Sequence, residues 1–518
     1  MNKSNVLEKI ESTFYNRFYT DIKSSKIKLN IEIARILFGA IMAIKYLDVI
    51  LIPFLETNER IYAFGSFLFS IQILFGFFTP LGLIMFQVLT LVTYPVIWNL
   101  SSQINTLTCF SLFFLQAGKS ISLDHWLRQR ISLFSNLLKK YEQITLDANS
   151  ENLAKIRLFV IYLFWGVCFS AMSFHFKDQL WLKGEVLQIL FKTDYLTDFA
   201  HFFRTWEQVS FWSYDLFFKI GLFLQGTWEL LLFPLVLLPF GLYFIIFQGL
   251  AFFISCMFFV NLSYLPTCEI ILWLILFGYP EIFKKNKLIN KTYQSDVNNK
   301  FYRYFKVASI SVTTLMILIM SLRIVDYKPI EELKYKIWRK RKTNSLIRKT
   351  FLFFAQEEVN VINIDDLNMG NTFILIKDLQ NNKLVDFMEP NGGRLDYLRN
   401  EYLYFKLSLK YQRSSLKAKI VTNDNKIILT QRSEDLINKI LIYHECLSGI
   451  SQSQKYEVSF FRKDLIPNNY NTLSWSKPIK VIDRIFTSPD FDKNSIYCKF
   501  TERINLGHLN TEYRKNKI

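Results

Sequence analysis

The sequence predicts a mainly α-helical, polytopic membrane domain of about 8–9 spans, followed by a soluble C-terminal α+β domain that is rich in strands. Three observations support this fold class. Residues 30–325 consist mostly of apolar runs, whereas residues 326–518 are polar, charged and rich in Asn and Lys. Lys and Arg collect in the loops beside the apolar runs, as is typical of cytoplasmic loops. Short stretches of the tail alternate apolar and polar residues, a pattern that predicts strands.

Residues 1–29 form a polar segment ahead of the first apolar run. Apolar and charged side chains alternate between residues 6 and 20, which predicts an amphipathic helix on the cytoplasmic membrane surface. No cleavable signal peptide is evident in this segment. We therefore expect the first membrane helix to act as the targeting signal.

Nine apolar segments of residues 30–325 have the composition of membrane helices, although the fourth is short. They cover residues 30–52, 61–78, 80–98, 104–118, 157–175, 213–234, 240–262, 267–281 and 307–325. Residues 185–212 separate the fifth and sixth segments and are rich in aromatic side chains. This composition predicts an interfacial, mostly helical segment outside the cytoplasm.

The basic residues predict the orientation of the chain. Its net charge of +18 is explained by cytoplasmic loops, and no recognised motif supports nucleic acid binding. Basic clusters precede the first span and follow the fourth and eighth, which predicts a cytoplasmic N-terminus. With nine spans the C-terminal domain lies outside a bacterial inner membrane. Ten Lys and Arg residues between positions 323 and 349 favour the opposite side.

The tail carries several strand and turn signals. Residues 373–388 read as two strands joined at Asn381-Asn382, because Asn tolerates the positive φ of a tight turn. Residues 417–431 repeat this pattern, Ser433 is a candidate cap for an amphipathic helix, and two more stretches predict strands, residues 456–461 and 496–501. Cys446 and Cys498 form a disulfide if the tail is exported, and two buried free thiols are an equal alternative.

Charged residues within the apolar runs are candidates for a functional site. Arg35 and Glu32 lie one turn apart early in the first span, where they form either an ion pair lining a cavity or, as we favour, an interfacial anchor. Glu229 lies deeper, in the sixth span. A carboxyl there must face water or the protein interior, so function and structural pairing are equal alternatives.

A second group of candidates lies where the fifth span ends. His175 is followed by Lys177 and Asp178, and a histidine at the mouth of a helix can act as a catalytic base. The alternative is a set of polar groups at the water boundary. Ser122, in the Ser-Leu-Asp stretch after the fourth span, is an N-cap signal. The six cysteines show no metal-ligand spacing, so no metal site is expected.

Four motifs, in this order, resemble the HTTM family, the membrane domain shared with vitamin K-dependent gamma-carboxylases. They are Arg35-x-x-x-Gly39, Ser122-Leu123-Asp124, Trp181-x-x-Gly184 and Glu229. The resemblance covers residues 30–325 and implies a helical core that binds a lipid or peptide and a quinone such as vitamin K hydroquinone.

The sequence also departs from the carboxylases. Their catalytic lysine precedes the tryptophan by five or six residues, where this chain has Phe176 and His175, and their Asn-His pair falls on Leu100-Ser101. The resemblance therefore implies a membrane protein that assists the modification, maturation or export of a polypeptide. The alternatives are a non-enzymatic scaffold subunit of an envelope complex and a divergent quinone-dependent carboxylase or epoxidase. In the first case the cavity is lined by His175, Lys177, Arg35, Glu229, Asp124 and Trp181.

Overall fold

The structure, a computed structural model, describes most of the N-terminal two thirds of the chain and parts of the remainder. The described ranges are residues 12–50, 57–93, 102–176, 179–192, 197, 199–260, 264–283, 299–324, 353–355, 371–384, 437–438, 441–442, 445, 454–463, 465–467, 473–475, 477 and 479–487. These residues are mainly helical and include a four-stranded and a two-stranded sheet.

The described helices of this part include one in each predicted apolar segment, and further helices lie before and between these segments. They are α1 (residues 12–18), α2 (Ser24–Ile50), α3 (Thr57–Phe75), α4 (Thr79–Thr93), α5 (Ser102–Phe114), α6 (Leu123–Arg130), α7 (Ser132–Ile144), α8 (Ser150–His175), α9 (Gln179–Leu182), α10 (Val186–Phe191), α11 (Ala200–Val209), α12 (Phe211–Leu235), α13 (Gly241–Phe259), α14 (Leu265–Phe277) and α15 (Lys300–Ile324). A 3₁₀ turn, Pro280–Phe283, follows α14.

Four of the described helices, α8, α12, α13 and α15, are long and apolar enough to cross a membrane. This finding fits a membrane protein. Each of the other predicted spans also contains a helix, but α4, α5 and α14 are shorter, the apolar part of α3 is only Arg60–Phe75, and α2 carries interior charges. The count of 8–9 spans therefore stays a prediction.

Helix α8 is the central helix among these four. Within its span, 72% of the residues are buried by the rest of the protein, against 22–28% in α12, α13 and α15. Tyr162 of α8 hydrogen bonds with Thr314 of α15, and Ser173 lies 3.2 Å from Met320 Sδ. The other three helices present most of their apolar surface away from the protein, as lipid-facing helices do.

The helix ends that the sequence places in the cytoplasm lie together. Arg157, near the start of α8, donates to the carbonyl oxygens of Leu276 and Phe18. Ser150 Oγ accepts from Ile22 N at 2.9 Å and donates to its carbonyl at 2.7 Å. Residues 12–18 of the predicted amphipathic helix are helical, and the rest of it lies outside the described residues or is not helical. Helix α1 does not simply lie on the surface, because Tyr15 and Phe18 are each 1% exposed.

The chain divides into two compact units, one of Met1–Leu47, Ile61–Gly184 and Asp215–Val361, and one of Asp48–Arg60, Glu185–Tyr214 and Ile362–Ile518. In the second unit, the aromatic segment before α12 forms α10 and α11, as the sequence predicts. Lys192 donates to Glu207 Oε1 at 2.8 Å, and both side chains are buried. This ion pair joins α11 to the residue that follows α10. The predicted domain boundaries stay predictions.

The strands of the second unit form two antiparallel sheets. The strands are β1 (Asn371–Asp378), β2 (Lys383–Leu384), β3 (Lys455–Lys463), β4 (Leu465–Pro467), β5 (Leu473–Trp475) and β6 (Ile479–Thr487), and the larger sheet has the order β2-β1-β3-β6. The hairpin at Asn381-Asn382 is confirmed, since β1 pairs with β2 and Asn382 has φ 51°. The sequence analysis predicted β3 but missed β6. The patterns at 417–431 and 496–501, and the cysteines Cys446 and Cys498, lie outside the described residues.

A short aromatic contact within the first unit joins residues 353–355 to α5 and α15. Phe353 lies 6.1 Å from Phe110 and 6.3 Å from Phe305, and Phe354 lies 5.6 Å from Phe305, measured between ring centroids. Phe305 is on the first turns of α15. Residues 353–355 therefore lie beside the beginning of α15, not beside its end.

Candidate functional site

Arg35 is buried and binds three separate segments of the chain. Its Nε donates to Glu32 Oε2 at 2.8 Å, and Nη1 donates to the carbonyls of Ile73 and Leu74 at 2.6 and 2.7 Å. Nη2 donates to the carbonyl of Ile121. Ile73 and Leu74 belong to the last turn of α3, where free carbonyls carry the negative end of the helix dipole. Arg35 is therefore part of a buried structural junction and not an interfacial anchor.

Two glycines allow this junction to close. A side chain at Gly39 would place its Cβ 2.5 Å from Leu74 N, so α2 and the end of α3 touch backbone to backbone. Gly76, just after α3, has φ 66°, and a Cβ there would meet Ser122 and the Arg35 guanidinium. The Arg-x-x-x-Gly motif thus has one physical role. The arginine binds the end of α3, and the glycine leaves the space that lets the backbone of α3 approach α2 closely.

Glu32 and the loop after α5 complete the same junction. Glu32 Oε1 accepts from Gly118 N at 2.9 Å and from Ser120 N at 3.1 Å, while Oε2 accepts from Arg35. The carboxylate thus has a charge partner and further donors, as a buried carboxylate requires. We call the set Arg35, Glu32, Asp124 and their backbone partners the inner junction.

Asp124, the third charged residue of the inner junction, binds the backbone where α4 begins. Its two carboxyl oxygens accept from Phe78 N at 2.6 Å and Thr79 N at 2.8 Å, the position at which a helix N-terminus favours an anion. Burial raises the pKa of Asp124, and these hydrogen bonds and Arg35 oppose the rise. Ser122 Oγ accepts from His125 N at 3.0 Å, which confirms the predicted N-cap of α6.

A small, open pocket lies beside Asp124. Arg128 Nη1 and Nη2 donate to the two carboxyl oxygens of Glu142 at 2.5 and 3.1 Å, and Lys119 Nζ lies 3.7 Å from the same carboxylate. Arg128, Glu142 and Lys119, three charged residues that line the pocket, therefore bind one another. The lining residues are Pro80, Gln116, Ala117, Gly118, Lys119, Asp124, His125, Arg128, Leu138, Tyr141 and Glu142.

His175 ends α8 and is buried, with 7% of its surface exposed. Its ring stacks on that of Trp181, with centroids 3.5 Å apart and planes inclined by 11°. Gly184 follows with φ 77° and closes the turn after α9. Trp181 therefore covers one face of the proposed base. Lys177, the second catalytic candidate, lies outside the described residues.

Glu229 belongs to a different group of residues from the inner junction. Gln225, one turn earlier on α12, donates through Nε2 to Glu229 Oε1 at 2.7 Å. Glu269 of α14 interacts electrostatically with Glu229, and both carboxyls act on Cys168 of α8 and Cys256 of α13. We call Gln225, Glu229, Glu269, Cys168 and Cys256 the core cluster. It joins four helices within the apolar part of the bundle.

Glu269 and Gln225 are not among the predicted site residues, although the sequence carries a signal for both. Glu269 is the only charged residue of α14, in Leu-Pro-Thr-Cys-Glu-Ile-Ile-Leu-Trp, and it is 7% exposed. It therefore has the feature that singled out Glu229, a lone carboxyl in an apolar helix. Gln225 precedes Glu229 by four residues, the spacing at which side chains meet on a helix.

The predicted cavity residues thus do not form one set. Arg35 and Asp124 share the inner junction, Glu229 belongs to the core cluster and His175 stacks on Trp181. In the part of the chain that is described, no group of three or more His, Cys, Asp or Glu side chains could hold a metal ion. Cys109, Cys168, Cys256 and Cys268 are buried thiols that take no part in a disulfide among the described residues. No family model, curated protein or solved structure matches the chain.

Proposed function

We propose that this is an HTTM-like integral membrane protein whose helical core binds a lipid or peptide and so assists the modification, maturation or export of a polypeptide. The core cluster carries this proposal. Polar atoms in an apolar helical bundle cost free energy unless they are hydrogen bonded, so they typically mark a ligand or ion path. Glu229 and Gln225 each retain a buried oxygen without a hydrogen-bond partner in the described structure.

The test is purification from native membranes in mild detergent, followed by mass spectrometry of the intact protein with everything that stays bound. We expect a retained lipid or peptide on the wild-type protein and at least a roughly tenfold loss of it in Glu229→Leu, because the variant removes both carboxyl oxygens. Glu281→Leu, at a carboxylate that binds Lys26 instead, is the matched control and should retain the ligand. Equal retention in the two variants contradicts the proposal.

A non-enzymatic scaffold subunit is the second candidate, and the inner junction favours it. Arg35 and Asp124, two of the predicted cavity residues, form hydrogen bonds with the backbone of α3, α4 and the loop after α5. These hydrogen bonds hold the helices together, so the guanidinium and the carboxylate group already bind protein groups. A stoichiometric protein partner in the same purification, with no small molecule in the core, supports this candidate.

The described residues do not fit a vitamin K hydroquinone, the cofactor that the resemblance implies. The position expected for the lysine base holds His175, and Trp181 covers one face of its ring at 3.5 Å. A less basic group with a covered ring replaces the amine that the carboxylase chemistry requires. We therefore derive no step of carboxylation or epoxidation.

The side of the membrane on which the C-terminal domain lies is also part of the proposal, and we propose the exported side. Residues 362–518 belong to one compact unit with residues 48–60 and 185–214, which include the loops after the first and fifth predicted spans, both expected outside the cytoplasm. Two observations favour the opposite side: residues 353–355 lie beside the beginning of α15, and ten basic residues lie between positions 323 and 349. On the exported side Cys446 and Cys498 can form a disulfide.

Thiol labelling of intact cells distinguishes the two sides. We expect a membrane-impermeant maleimide, added after mild reduction, to label Cys446 and Cys498 in intact cells. Gln208→Cys, on the exposed face of α11 in the segment predicted to lie outside, is the positive control. Tail cysteines that stay unlabelled until the cells are permeabilised, while Gln208→Cys is labelled in intact cells, overturn this part of the account.

A further inference from the structure

Two oxygen atoms of the core cluster are hydrogen-bond acceptors without a donor. Gln225 Oε1 and Glu229 Oε2 are buried and receive no hydrogen bond from any described residue. Gln225 is only 6% exposed, and its amide nitrogen already donates to the other oxygen of Glu229. One turn of α12 therefore presents two acceptors that a ligand can fill only with donor groups.

Glu269 makes this site strongly favourable for positive charge. It brings a second carboxyl from α14 to within electrostatic range of Glu229, in surroundings of low polarity. Among the described residues, no Lys or Arg acts electrostatically on either carboxyl. Two carboxyl groups that share an apolar site are stabilised when a cation lies between them. A group that is both a hydrogen-bond donor and a cation matches the two acceptor oxygens and the two carboxyls together.

Nearby aromatic rings give the site an apolar wall. Trp273, one turn after Glu269 on α14, packs against Trp228 at 5.9 Å, Phe253 at 4.9 Å and Phe164 at 5.3 Å between ring centroids. The polar atom that Trp273 adds to this side is its indole N–H, which has no acceptor among the described residues and offers no oxygen to a hydrated cation. A cation attached to an apolar chain suits a site with carboxyls on one side and aromatic rings on the other.

We propose that the core cluster binds a primary ammonium group carried on an apolar chain. A primary ammonium has three N–H donors and one positive charge, which matches the free oxygens of Gln225 and Glu229 and the carboxyl of Glu269. The same chemistry occurs in the headgroup of an aminophospholipid and in the lysine side chain of an apolar peptide. This inference rests on the proposed function, since it names the class of ligand that the helical core takes.

Three probes of equal chain length separate charge from hydrogen bonding. Dodecylamine has both properties, dodecyltrimethylammonium has the charge without N–H donors, and dodecanol has a donor without the charge. Saturable binding of radiolabelled dodecylamine is measured with the full-length protein in phosphatidylcholine nanodiscs. We expect the other two probes to displace it at least roughly tenfold less well than unlabelled dodecylamine.

Variants of the core cluster locate the binding. We expect Glu229→Gln and Gln225→Leu each to weaken dodecylamine binding by at least roughly tenfold. Glu281→Gln is the control, because this carboxylate binds Lys26 outside the core cluster, and it should bind as the wild type does. Glu269→Gln checks the charge requirement independently, because it keeps the size of the side chain and should also weaken binding.

Two further competitors identify the natural source of the ammonium group. Phosphatidylethanolamine in the nanodisc tests the lipid source, and a Leu/Ala peptide with one central Lys tests the peptide source, with its Gln counterpart as control. Displacement by either supports the proposal, and displacement by neither overturns it. Equal binding of the three dodecyl probes, or unchanged binding by Glu229→Gln, also overturns it. If the native protein then retains a neutral lipid, the proposed function stands, but the inference that the ligand carries an ammonium group is wrong.

Discussion

Replacing Arg35 by Leu is expected to lower the free energy of unfolding by about 3–5 kcal/mol, because it leaves the buried Glu32 carboxylate without its charge partner. The carbonyls of Ile73, Leu74 and Ile121 lose their donor at the same time. Unfolding titrations of the purified protein in detergent measure the loss. We expect much of the variant to be lost as aggregate during purification.

A matched control and a double variant make this prediction specific. Arg303→Leu makes the same substitution at an exposed position of α15 and should change stability by less than about 0.5 kcal/mol. Glu32→Met combined with Arg35→Met should lose less than the sum of the two single variants, because the double variant leaves no unpaired charge. Equal stability of Arg35→Leu and Arg303→Leu contradicts the structural role of the inner junction.

Asp124→Ala is expected to destabilise the protein by about 2–4 kcal/mol, since each buried donor left without an acceptor costs about 1–3 kcal/mol. The two donors are Phe78 N and Thr79 N, at the start of α4. Loss of the carboxylate also removes a favourable charge from this helix N-terminus. The same unfolding titration measures the effect.

Asp147→Ala is the control for Asp124, because the Asp147 side chain is 70% exposed and its ion pair with Lys119 is solvated. We expect it to change stability by less than about 1 kcal/mol. Hydrogen exchange adds a local readout: in Asp124→Ala the first amides of α4 should exchange faster, whereas those of α8 should not. Uniform exchange rates in the two variants would show that Asp124 does not hold α4.

The sequence predicted features that depend on neighbouring residues. Ser122 caps α6 by accepting from the amide of His125 three residues later, Asn382 adopts the positive φ of a hairpin turn, and the apolar run of α8 ends at His175. Each of these signals lies in one continuous stretch of sequence. It can therefore be recognised without knowing which segments of the chain pack together.

The partners of Arg35 and Asp124 could not be predicted in this way. Arg35 binds Ile73 and Ile121, which follow it by 38 and 86 residues, and Asp124 binds Thr79 from 45 residues further along the chain. Only the packing of the helices brings these groups together. A charged residue within an apolar run shows that a partner must exist, and the fold decides whether that partner is backbone, side chain or ligand.

Strand β6 and Glu269 were missed for opposite reasons. Strand β6, Ile-Lys-Val-Ile-Asp-Arg-Ile-Phe-Thr, shows only a weak alternation of charged and apolar residues. It forms a strand because it pairs with β3. Glu269 carried a clear signal, a lone carboxyl in an apolar helix, at the start of a segment whose beginning was predicted two residues late. Its role follows from the position of Glu229 on another helix.

The most direct test of the central claim, that the core binds a ligand, is a density map of the full-length protein purified from its native membrane. The account predicts non-protein density between α8, α12, α13 and α14, within hydrogen-bonding distance of Gln225 Oε1 and Glu229 Oε2. A map in which both oxygens are hydrogen bonded to protein groups and no such density is present would contradict it.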